Sequence, residues 1–139
     1  MGDVVGAAIV GLGRWGQLLV SSVDDSTSFR FKRAVTRTPS KVATFCDDRK
    51  IALSDNLEDA LNDDSIDVVV IATPHTQHFE QLMAVAQAGK HVFCEKPWTL
   101  TGKEGKQALD AFKSRGLKVA IGHNRRFAPN SIEMKKILD

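Results

Sequence analysis

Ile9-Val10-Gly11-Leu12-Gly13-Arg14-Trp15-Gly16 is the stretch that decides how the chain is read. An apolar run beginning at Val4 leads into it, and residues 15–23 follow with apolar side chains at helical spacing. Gly11, Gly13 and Gly16 therefore fall where a strand turns into a helix, in the G-x-G-x-x-G spacing of a dinucleotide-binding βαβ unit. Each glycine has its own task. Gly11 permits the tight turn, Gly13 leaves room for a pyrophosphate to approach the backbone, and Gly16 lets the helix pack close on the strand. Arg14, Trp15 and Gly16 form the first helical turn, whose N–H groups have no partner within the helix and carry the positive end of its dipole. The same glycine spacing also occurs at ordinary strand-to-helix turns, so the surrounding chain must choose between the two readings.

Working outward, apolar runs predict strands over 4–10, 29–36, 51–53, 66–72, 91–94 and 118–122. Val68-Val69-Val70-Ile71 reads as the most central of them. Helices are expected over 15–23, over 41–48 with Pro39 in the first turn, and over 57–61 behind the cap residues Ser54-Asp55-Asn56. A further helix carries Phe79, Leu82, Met83, Val85 and Ala86 and is closed by Gly89. Another opens on the capping box Thr101-Gly102-Lys103-Glu104 and ends near Arg115, and the last covers 129–138. Strands and helices alternate, which predicts a mainly parallel, doubly wound sheet with helices on both faces. Ligands of such sheets bind at the carboxyl ends of the strands, where strand order reverses. Four segments lie there: 11–16, 36–38, 73–78 and 95–97. Their convergence on one edge favours the cofactor reading of the glycines.

A chain of 139 residues fills one domain with a proper core and not two. The formal charge of +2, with both signs interspersed, gives no reason to expect nucleic acid or an anionic membrane. No apolar stretch has the length of a membrane span, and the first residues lack a signal-peptide layout, so a cytoplasmic setting is expected. Cys46 and Cys94, the two cysteines, read as buried reduced thiols.

The chemistry of the strand ends can then be read. A fingerprint of the NAD type carries an acidic residue about 20 positions on, which holds the ribose 2′-hydroxyl. Here that place reads Thr36-Arg37-Thr38. A guanidinium and two hydroxyls suit a 2′-phosphate, so NADP(H) is expected in preference to NAD(H), with Lys41 as a weaker second cation. The competing reading makes Arg37 a solvated loop residue of an unselective site. Ala72-Thr73-Pro74-His75-Thr76-Gln77-His78 would lie beside the cofactor ribose. No Asp, Glu or Cys partners His75 and His78 at ligand spacing, so no metal is expected there, and lining the pocket is the better role. In Glu95-Lys96-Pro97, Lys96 is placed to bind a substrate hydroxyl or its alkoxide, with Glu95 orienting it. The plainer alternative is an exposed salt bridge at a strand end.

In order along the chain come Gly11-x-Gly13-x-x-Gly16, Ala72-Thr73-Pro74 with His78, Gly89-Lys90-His91-Val92 leading into Glu95-Lys96-Pro97, and His123-Asn124-Arg125-Arg126-Phe127-x-Pro129. This series resembles the N-terminal domain of the Gfo/Idh/MocA oxidoreductases. The resemblance implies a Rossmann fold binding NAD(H) or NADP(H), and hydride transfer to or from a sugar, polyol or related alcohol. It implies Lys96 as the lysine near the transferred hydride, with Asn124 and Arg126 near the cofactor. Residues 1–125 would form the nucleotide-binding domain, and residues 126–139 a helix leading towards the α+β domain with which the family continues. Without that second domain the chain is expected to be catalytically incomplete and to self-associate through an exposed apolar patch. The alternative is a standalone module that binds or senses NADP(H) without catalysis.

Overall fold

The computed structural model describes residues 4–139. Six strands form one sheet: β1 (Val5–Val10), β2 (Phe29–Val35), β3 (Ala52–Ser54), β4 (Val68–Ile71), β5 (His91–Cys94) and β6 (Val119–Ile121). Every neighbouring pair is parallel, and the order is β3-β2-β1-β4-β5-β6. The chain therefore winds outward from β1 in one direction, returns to β1's other side at β4, and winds outward again. This is the doubly wound Rossmann order, with its switch point between β1 and β4.

The helices are α1 (Arg14–Ser21), α2 (Ala43–Arg49), α3 (Glu58–Leu61), α4 (His78–Gln87), α5 (Gly102–Lys113) and α6 (Pro129–Leu138). α1 and α2 cover one face of the sheet and α3, α4 and α5 the other, which is why β1 is apolar without alternation. Ala7 and Ile9 point into one core with Val20 of α1 and Cys46 of α2. Ala8 and Val10 point into the other with Leu82 and Val85 of α4 and Phe112 of α5. The capping box at Thr101 and Glu104 is formed, and Gly89 and Gly116 follow α4 and α5 at φ of 72° and 67°.

One expected helix is broken. Residues 39–41 make a separate 3₁₀ turn, and α2 starts only at Ala43. Val42 between them has φ −129° and ψ 10°, outside helical geometry, and its side chain is buried in the core. Burial of that valine sets the break, and it leaves Thr38 and Lys41 on a short turn beside the end of β2.

The opposite edge of the sheet carries the clearest charge effect on stability. Asp63 accepts hydrogen bonds from the Ser65 N–H and from Arg33 Nε, the latter at 2.6 Å, joining the loop before β4 to β2. Hydrogen bonding to Ser65, and after it to Arg33, holds the Asp63 carboxyl down to about 2. A carboxyl lowered in the folded state adds stability that is fully present above its unfolded value, about 3.9, and is lost as pH falls through the folded one. Asp63→Asn is thus expected to lose roughly 1 kcal/mol at neutral pH. The gap to the unsubstituted chain should close between about pH 4 and pH 2, as read by denaturant melts across that range.

Candidate functional site

The strand ends are held level with one another by backbone hydrogen bonds one residue beyond the strands. The N–H of Gly11 donates to Val35, that of Ala72 to Val10, that of Thr36 to Ser54, and that of Glu95 to Ile71, all between 2.8 and 3.0 Å. The loops leaving β1, β2, β3 and β4 consequently share one floor. A cleft of about 500 Å³ opens there, and among its walls are Gly11, Gly13, Thr36, Arg37, Thr38 and Ala72-Thr73-Pro74. It lies over the switch point.

The glycine turn has the shape a pyrophosphate needs. Gly11 has φ 94°, and a Cβ on it would stand 2.7 Å from the Ala72 carbonyl carbon, so the β1 and β4 loops approach closely only because the side chain is missing. A Cβ on Gly16 would stand 2.1 Å from the Gly11 carbonyl oxygen, which fixes how near α1 sits to the turn. Gly13 differs: nothing lies within 4 Å of where its Cβ would be. Gly13 is also the N-cap of α1, makes no side-chain cap, and is followed by no acidic residue in the first turn. An uncapped helix start with open space in front of it favours an anion.

On the β4 side a polar chain lines the cleft. The Thr73 hydroxyl donates to Gln81 Oε1 at 2.6 Å, and Gln81 Nε2 donates to Gln77 Oε1 at 3.3 Å. Gln77, whose oxygen accepts from Gln81, is itself among the residues lining the cleft.

Further along the same edge, beyond β5 and β6, lies a smaller opening of about 250 Å³ walled by Lys96, Gly122, His123, Asn124, Arg125 and Arg126. It is cationic, and Lys96 is exposed in it. The two openings are coupled through His78, which is buried. Its Nδ1 lies 2.8 Å from the Pro97 carbonyl and its Nε2 3.0 Å from the Thr73 carbonyl, so the ring ties the loop after β4 to the loop after β5.

The sequence profile described as "Oxidoreductase family, NAD-binding Rossmann fold" (Gfo/Idh/MocA) matches residues 5–123. The chain belongs to the Gfo/Idh/MocA oxidoreductase family. It is 31% identical over 137 residues to scyllo-inositol 2-dehydrogenase (NADP(+)) IolW of Bacillus subtilis (strain 168), covering 98% of this chain and 38% of that protein. It is 33% identical over 142 positions to the NAD(+)-dependent scyllo-inositol 2-dehydrogenase of the same organism, covering 97% and 40%. Among solved structures, GenD2 from gentamicin A biosynthesis in complex with NAD superposes with a TM-score of 0.93 at 27% identity, over 99% of this chain and 39% of that one. The chain thus spans about two fifths of the length of these relatives. Relatives named for NAD(+) and for NADP(+) both occur at this similarity.

Within this Gfo/Idh/MocA domain the expected site residues divide into groups. Gly11, Gly13, Thr36, Arg37, Thr38, Ala72, Thr73 and Pro74 meet in the large cleft, while Lys96, Asn124 and Arg126 meet in the small one. Arg14 and Trp15 begin α1, but their side chains line a different groove, with Leu18 and Phe45, so only their backbone N–H groups are offered to the glycine turn. His75 is exposed on a 3₁₀ turn and is not part of the cleft wall. His78 corrects the expectation most sharply: it is a tie between loops with both ring nitrogens against protein carbonyls, and it offers none to a cofactor.

Glu95 is also corrected. Among the described residues it forms no ion pair with Lys96; its buried carboxylate lies against Gly122, where a Cβ would come within 2.5 Å of Oε1. A side chain at Gly122 would displace the Glu95 carboxylate from this position. Behind it the Cys94 thiol is pushed up to about 12, by burial first and by the negative charge of Glu95 second. Pro97 is exposed after a cis Lys96–Pro97 peptide and contributes its carbonyl to His78.

Of the polar wall residues, Asp55 and Gln81 were not anticipated, and Gln77 was expected only as part of the segment after β4. Asp55 follows β3 at the same edge as the other loops and was read only as cap chemistry. No helix among the described residues is long and apolar enough to cross a membrane.

Proposed function

We propose that these residues form the cofactor half of an oxidoreductase that moves a hydride to or from a sugar, polyol or related alcohol, with NADP(H) preferred over NAD(H). The carrying observation is the open, uncapped start of α1 at Gly13, facing a cleft whose β2 wall is Thr36-Arg37-Thr38. A bound nicotinamide supplies the hydride chemistry. The backbone at Gly13 holds the diphosphate, Arg37 with Lys41 meets the 2′-phosphate, and Gln77 donates from the β4 side. Lys96 meets the substrate oxygen, and His78 fixes the distance between the two loops. Residues 1–125 make up this unit, and 126–139 lead out of it towards a partner surface. Support for that surface comes from α6, which buries none of its side chains and exposes Ile132, Met134, Ile137 and Leu138. A second copy or a second domain is the partner we propose. A reducing, cytoplasmic setting suits the free, buried Cys46 and Cys94.

Calorimetric titration with NADPH and NADH tests the cofactor half. A charge-assisted contact contributes about 1.5–3 kcal/mol, so NADPH is expected to bind about tenfold more tightly or better. Arg37→Asp should reverse the order. Equal affinities in the unsubstituted chain, or a preference for NADH, would defeat the NADP reading.

A further inference from the structure

The end of β2 lacks a carboxylate, but the cleft does not. Ser54 is registered opposite Val35 in the parallel pair β2–β3, and the Thr36 N–H donates to the Ser54 carbonyl at 3.0 Å. Continued by one residue, that register sets Asp55 beside Thr36, about one strand spacing (~4.8 Å) away. Asp55 and the Thr36-Arg37-Thr38 segment line the same wall of the cleft, along with Lys41. The Asp55 loop is held in place: the Asn56 N–H donates to Ser54 Oγ at 3.0 Å and the Glu58 N–H to Asn56 Oδ1 at 3.1 Å. Among the described residues, Asp55, Arg37 and Lys41 take part in no ion pair, so neither the carboxylate nor the two cations are cancelled by a fixed partner. Asp55 is the one acidic side chain in the wall.

We propose that Asp55 is a specificity-determining residue that supplies, from the end of β3, the carboxylate missing from the end of β2. The inference rests on the dinucleotide reading of the cleft. A carboxylate there accepts hydrogen bonds from ribose hydroxyls and repels a 2′-phosphate, whereas Arg37 and Lys41 attract the phosphate. The wall carries opposed charges and sets a narrower choice between NADPH and NADH than Arg37 alone would give. Relatives named for each cofactor at similar identity accord with a wall in which single residues tip the choice.

The test compares the unsubstituted chain with Asp55→Asn, which keeps the side-chain shape and removes the charge. Asp55 is exposed, so folding is not at stake. NADPH is expected to bind about three- to tenfold more tightly to Asp55→Asn, with NADH unchanged or weaker. The gain should shrink at 0.5 M salt, as a charge effect at an exposed site does. Adenosine 2′,5′-bisphosphate against 5′-AMP, titrated into both chains, isolates the adenosine end and should show the same shift. An NADPH-to-NADH affinity ratio unmoved or lowered by Asp55→Asn would overturn the proposal while leaving the cofactor reading intact. Failure of the unsubstituted chain to bind either dinucleotide would overturn both.

Discussion

Gly13→Val is expected to weaken dinucleotide binding by about 100-fold in Kd or more, while the circular dichroism spectrum stays that of the unsubstituted chain and the thermal midpoint falls by only a few degrees, the cost of valine at the N-cap of α1. Both halves of that expectation come from the same geometry. Gly13 has φ −73°, an ordinary value for any L-residue, and an added Cβ meets nothing within 4 Å. The protein therefore folds around the valine. The side chain stands in the open space before the uncapped start of α1, where the diphosphate is proposed to lie. The other two glycines make poor tests. Valine at Gly16 would drive a Cβ to 2.1 Å from the Gly11 carbonyl oxygen, and at Gly11 it would sit at φ 94° against Ala72. Either would lose binding by damaging the fold. Unchanged NADPH affinity in Gly13→Val, measured by fluorescence titration, would mean that the cofactor is not held at this turn.

The fold was legible because both of its signals are local. An uninterrupted apolar run marks a strand covered on both faces, and the glycine and capping residues mark where helices begin and end. The parallel, doubly wound architecture followed from the alternation of strands and helices, whereas the order β3-β2-β1-β4-β5-β6 is seen only in the structure. The break at Val42 was not legible, since Pro39 and the residues after it carry good helical chemistry and only burial of Val42 explains the interruption. Among the expected site residues, those on the backbone turn and at the strand ends do line the two openings, because their place is fixed by the element they terminate. Side-chain direction was not. His78 looks like a pocket residue in sequence, and it is the packing between β4 and β5 that turns it inward to Thr73 and Pro97. Glu95 beside Lys96 suggests a pair, yet consecutive residues at a strand end leave in opposite directions, and Glu95 is the buried one. Asp55 lies 18 positions beyond Arg37 in sequence and reaches the same wall only through the register of β2 and β3. Pairing of that kind is a tertiary fact.

Lys96→Ala is expected to leave the Kd for NADPH within about twofold of the unsubstituted chain, and to lower the rate of alcohol oxidation by about 10²–10⁴-fold, the range for loss of one proton-handling group. Lys96 is separated from the large cleft by the loop after β4, so its removal disturbs none of the phosphate or adenosine contacts proposed there. In its own opening it stands among Asn124, Arg125 and Arg126, with no carboxylate in the wall. That cationic surface suits an alkoxide forming on a substrate carbon. The opening is nevertheless shallow and exposed, at about 250 Å³. Hydride transfer needs the substrate carbon held in line with the nicotinamide and water kept out. Among the described residues the opening has a charged floor without a roof, so turnover of this chain with NADP⁺ and a panel of inositols and sugars is expected to be slow even before substitution. Single-turnover absorbance at the nicotinamide band reads both effects. Fast turnover that Lys96→Ala removes would show that this chain, or its own oligomer, already closes the site. Turnover that survives Lys96→Ala would move the proton-handling role to another residue, and unchanged NADPH binding in the same variant would confine that failure to Lys96 and leave the cofactor cleft standing.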